Sequence, residues 1–165
     1  MQTIDDIFKD FFEDLSDDIL RLKFKYNIDD NFSKILTRES FAFIEEYSNR
    51  YSKLLKNQSH QITSNIKDYV QSIKNKSSNL SENKNLEMIF IIEKYANEIS
   101  DFFPNEIFLN DLKIMYSNNA IKFSNIVHKN PYIVKPQRSI IFYEYQRVII
   151  SNKKEIENKE NKKEN

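Results

Sequence analysis

The 165-residue sequence contains no cysteine, no glycine, no tryptophan and only three prolines. Each absence removes a class of chemistry. Without cysteine there is no disulfide, no thiolate metal site and no cysteine nucleophile. Glycine makes up about 7 % of an average protein. Its complete absence here excludes the dinucleotide fingerprint, the phosphate-binding P-loop and the nucleophile elbow in their usual forms. All three need a backbone at positive φ or pressed close against a ligand. Tight hairpins lose their preferred Asn-Gly and Asp-Gly turns, which argues against a β-rich fold.

Long apolar runs are missing too. The longest, Met88–Ile92 and Ile140–Tyr143, fall far short of the roughly 20 residues that a membrane-crossing helix needs. The N-terminus, MQTIDDIFKDFF, has no basic region of the kind that opens a secretory signal. A cytoplasmic protein without a membrane span is therefore expected. The Asn-X-Ser matches at Asn31, Asn57, Asn75 and Asn79 carry no weight without such a signal.

Histidine occurs twice, at His60 and His128. A carboxylate-bridged di-metal bundle uses Glu-x-x-His on its helices. Here the residues three positions upstream are Asn57 and Asn125, and no His-Glu-x-x-His occurs either. No metal and no cofactor are expected, and His60, in a polar stretch, reads as a solvated surface residue. The nearest arginine upstream of either histidine is Arg50, too distant for the Arg–His pattern of some small helical RNases. Nothing local suggests a serine triad. The carboxylate pairs Asp17–Asp18 and Glu45–Glu46 are adjacent in sequence, so on a helix they point about 100° apart. The chain leans away from an enzyme.

Apolar residues at helical spacing dominate what is present. Ile4, Phe8, Phe11, Leu15 and Leu22 predict a helix over 4–26, capped by Thr3. Asn27 suits the left-handed position that glycine usually fills, and 27–31 reads as a connector. A short turn is expected over Phe32–Leu36. Thr37 then caps a helix whose stripe runs from Phe41 to Ile73. No proline interrupts it, so one long helix over about 38–75 is favoured, although Lys56–Gln61 is wholly polar. Lys74–Lys84 reads as a loop with Ser81 as the next cap. The following helix, 82–102, is apolar on more than one face and is expected to be central and most buried. Pro104 marks a break and opens a helix to about Val127. His128–Pro136 is extended or turning, and Gln137 or Ser139 opens a last helix carrying Ile141, Tyr145 and Val148. The expected architecture is all-α: a single-domain helical bundle of about five helices with mainly antiparallel neighbours over 1–152, and a disordered, charged, low-complexity tail over 153–165. Asn, Lys and Ile are abundant and Ala scarce, a bias that fits an AT-rich genome and makes much of the polar surface mutational background.

Net charge is zero but unevenly spread. Residues 1–46 carry 12 acidic and 6 basic side chains, and 47–165 carry 13 acidic and 19 basic. Asp6, Asp10, Glu13, Asp14 and Asp17 recur every three or four residues, opposite much of the first helix's apolar stripe. Like charges so spaced cost a few tenths of a kcal/mol per pair. The row is the candidate docking face for a protein partner, itself basic. The basic segment 113–147 interleaves cations with tyrosines, as phosphate and single-strand recognition require. Lys129, Tyr132, Lys135, Arg138 and Arg147 are its candidate nucleic-acid contacts. With 13 Phe and 9 Tyr, the chain has ample aromatic surface for a core or an interface. The favoured reading is a non-enzymatic protein–protein interaction module, of the binding, inhibitor, immunity or chaperone-like kind. The alternative is a nucleic-acid-associated helical protein.

Overall fold

The computed structural model describes residues 4–54, 58–76, 86–130, 138 and 140–149. They form an all-α bundle with no strand among the described residues. Five helices are α1 (Ile4–Lys25), α2 (Asp30–Ser52), α3 (Ser59–Lys74), α4 (Leu86–Ser100) and α5 (Glu106–Lys129). A sixth, α6, occupies 140–149, and residue 138 is helical as well. Thr3, Ser81, Gln137, Ser139 and the expected tail at 153–165 lie outside the described residues.

α1 follows its stripe. Phe8, Phe11, Phe12, Leu15, Ile19 and Leu22 are buried. Asn27 terminates it at φ 52°. The Ile28 amide donates to the Lys23 carbonyl at 3.0 Å and the Asn27 amide to Phe24 at 3.4 Å. This is a Schellman closure with asparagine in the glycine position, and Ile28 is buried beneath it.

α2 begins earlier than expected. Asp29, not Thr37, is its cap: the Asp29 carboxylate accepts from the Phe32 amide at 2.8 Å. Phe32–Leu36 is therefore helix rather than turn. The Thr37 hydroxyl donates to the Ser33 carbonyl at 2.8 Å inside the helix. The long helix over 38–75 is also corrected, because α2 ends at Ser52 and α3 starts at Ser59. α2 closes before the polar stretch is reached, and Ser59–Gln61 of that stretch belong to α3. The amides of Lys53 and Leu54 tighten the end onto Arg50 and Tyr51.

α5 starts two residues after Pro104, with Asn105 as its cap: the Asn105 side chain accepts from the Phe108 amide at 3.0 Å. It, and not α4, is the central helix, since it packs against α1, α2, α3 and α4. Contacts fix the directions. Asp18 meets Asn119 and Asp14 meets Lys122, so α1 runs antiparallel to α5. Ser40 meets Tyr116 and Tyr47 meets Ser124, so α2 runs parallel to it. α4 is antiparallel to α2, with Arg50 on Glu87 and Lys94 on Glu46. α2 and α5 are thus an exception to antiparallel neighbours.

The core is aromatic. Phe43 stacks on Tyr116 with centroids 4.5 Å apart, and Phe12 stacks on Phe41 at 5.2 Å. Phe123 is fully enclosed, touching Phe8, Phe11, Tyr47 and Tyr51. α6 closes one side, with Ile141 and Val148 buried and Tyr145 edge-on to Phe41 at 5.5 Å.

Candidate interaction surface

α1 cannot bury both of its faces. With its phenylalanines turned inward, Asp6, Asp10, Glu13, Asp14 and Asp17 are all exposed. Folding brings cations of other helices beside Asp14 and Glu13. Lys122 of α5 lies 3.1 Å from Asp14, and Arg147 of α6 lies 4.0 Å from Glu13. The second contact joins the acidic row of the first helix to a residue of the basic segment, 134 positions away in the chain.

The basic segment is largely matched by carboxylates from other helices. Lys113 pairs with Glu93 at 3.0 Å and Arg138 with Glu45 at 3.3 Å. Arg147 is partly buried. Its Nε donates to Glu144 at 2.7 Å, and Glu144 is itself only 4 % exposed. The Nη2 of Arg147 is buried without a hydrogen-bond partner among the described residues. Breaking such a pair on one side would strand a buried charge, so Arg147 is held as a strut between α6 and α1. Lys129 stands exposed at the end of α5. Tyr132 and Lys135 lie outside the described residues. Of the other tyrosines in this segment, Tyr116 is core, Tyr145 half-buried and Tyr143 exposed.

The concave feature on this side lies between α2 and α6. Phe41, Ala42, Ile141, Phe142 and Tyr145 line a groove of about 230 Å³, with Arg38, Glu45 and Arg138 at its rim. Phe142 is 63 % exposed and Tyr143 66 %. Tyr143 lies one helical turn before Arg147, on the same face of α6. The groove was missed in the sequence because Phe41 reads as ordinary core. A signal existed: Ile140–Tyr143 places four apolar residues in succession, and on a helix these cover most of the circumference. α6 can bury only part of that, and Phe142 and Tyr143 are left outside.

No protein-family model matches the chain, and neither a curated protein nor a solved structure is detectably similar to it. Among the described residues no helix is long and apolar enough to cross a membrane.

Proposed function

We propose that the protein is a non-enzymatic interaction module that binds a protein partner over its α1–α6–α2 side. The partner would seat an apolar side chain in the α2–α6 groove and set basic residues against the acidic row of α1. The observation that supports this reading is the exposure of Phe142 and Tyr143 on α6, which lines an apolar groove and whose Arg147 reaches Glu13 of the exposed acidic row. Aromatic anchors ringed by polar groups are the usual anatomy of a binding surface. The nucleic-acid reading has less support, because Lys113, Lys122, Arg138 and Arg147 each sit against a carboxylate.

The test is affinity capture of the tagged chain from its native cell, with and without nuclease. Wild type is compared with Asp10→Lys/Asp14→Lys/Asp17→Lys and with Phe142→Ala/Tyr143→Ala. The expected result is one near-stoichiometric protein that survives nuclease and is lost from both variants, while their circular dichroism and melting temperatures stay close to wild type. A partner retained by both folded variants would remove this face from consideration. Loss of every partner on nuclease treatment would favour the nucleic-acid alternative.

A further inference from the structure

The chain's two histidines, 68 residues apart in sequence, meet in space. His60 lies in the first turn of α3 and His128 in the last turn of α5, with ring centroids 4.9 Å apart. Both residues are exposed. His128 is held from behind. Its Nδ1 lies 3.0 Å from the Ser59 hydroxyl. Ser59 is only 4 % exposed. The contact holds the ring through Nδ1 and leaves Nε2 out of it.

A ring held at Nδ1 by a second group, with Nε2 left for another partner, is the arrangement that metal-binding imidazoles use. Zinc–nitrogen bonds of about 2.0–2.1 Å at a tetrahedral angle place two imidazole centroids roughly 5 Å apart, and the observed spacing agrees. We propose that His60 and His128 together bind one divalent ion of the imidazole-preferring class, Zn²⁺, Ni²⁺ or Cu²⁺, clamping the start of α3 to the end of α5. No group of three or more histidine, aspartate or glutamate side chains is gathered for a metal among the described residues. The site is thus a two-ligand chelate whose remaining positions fall to water, and it is open rather than structural. It modifies the expectation of a metal-free protein, which rested on motifs within single helices. A ligand pair split between α3 and α5 has no such motif.

The experiment titrates Zn²⁺, with Mg²⁺ as control, into the full chain. It follows the melting temperature and the ring-proton NMR signals of the two histidines. Zn²⁺ should raise the melting temperature with saturation at one equivalent and shift both sets of ring signals, while Mg²⁺ does neither. His60→Ala and His128→Ala, both at exposed positions, should each abolish the response. Ser59→Ala should weaken affinity about 10–100-fold by freeing the ring. No ring shift at millimolar Zn²⁺ would overturn the proposal, and so would a response that persists in the His60→Ala/His128→Ala double variant.

Discussion

Helix α4 is the most apolar of α1–α5 in composition, yet it leaves Leu86 and Phe90 standing in solvent, 48 % and 69 % exposed. Its neighbour α5 takes Ser117, Asn119 and Ser124 wholly inside. The difference lies in size and in partners. Ser117, Ala120 and Ser124 recur at helical spacing on α5 and are small, so the large rings of α2 can lie close against it. Most of their polar atoms are satisfied on the spot, Asn119 Oδ1 being buried without a partner among the described residues. The Ser117 hydroxyl donates to the Lys113 carbonyl at 2.7 Å, Asn119 Nδ2 to Met115 at 2.8 Å, and Ser124 bonds the Tyr47 hydroxyl at 2.9 Å. A helix becomes central by letting others approach and by meeting its own hydrogen-bonding needs, and mean hydropathy records neither.

The sharpest way to break this comparison is to truncate one phenylalanine on each helix. Phe123→Ala on α5 empties a site enclosed by four other rings and should cost about 3–5 kcal/mol. That is a large share of the roughly 5–15 kcal/mol of a typical domain. Phe90→Ala on α4 should change stability by no more than about 0.5 kcal/mol. Urea unfolding of both variants checks the pair. Equal losses would mean that α4 is as enclosed as α5.

How much of this was legible in the sequence depends on whether the cause was local. α1 was read correctly because its apolar period and Asn27 act within one helix. The exposure of its five carboxylates follows from the same period. The start of α2 was misread because Asp29 and Thr37 are both competent caps, and the choice between them rests on burying Phe32 against Phe103 and Phe108. The end of α2 was misread because a polar stretch does not show whether it bridges one helix or separates two. Arg147 looked like a phosphate contact. Only tertiary structure could set it on Glu144 and within reach of Glu13. The meeting of His60 with His128 was invisible for the same reason.

A smaller effect sharpens the point about hydrogen-bonding partners. Ser124→Ala leaves the Tyr47 hydroxyl buried at a position where burial already pushes its ionisation far above the usual range, so it should cost about 1–3 kcal/mol. Tyr47→Phe removes the same bond from the other side. If the pair works as a unit, the double variant will be less destabilised than the sum of the singles, by about 0.5–1.5 kcal/mol. Strict additivity in the double-mutant cycle would show that the bond does little to hold α2 on α5.

The smallest expected effect is electrostatic and lies where α2 faces α4 rather than α5. Burial raises the Glu39 carboxyl above its usual value of 4.5, and the hydrogen bond its protonated form donates to Glu98 and the charge of Glu98 add to that, while Arg38 at 3.5 Å works against it. The folded state therefore holds the Glu39 proton more tightly than the unfolded chain does. Between the two values the native state carries more bound protons, so stability falls as pH rises through this window and levels off above the folded value. At neutral pH the ionised Glu39 is a net cost. Glu39→Gln keeps a group that can donate to Glu98 and removes the charge. It should raise stability at pH 7 by roughly 0.5 kcal/mol or less, the scale of a change at a partly exposed site. Below pH 4.5 the gain should disappear, since the wild-type carboxyl is then neutral as well. Glu98→Gln should recover part of the same gain, and the double variant should add little to either single. Thermal melts of the three variants at pH 4 and pH 7 separate this from a packing effect, which would be the same at both pH values and additive between the two sites.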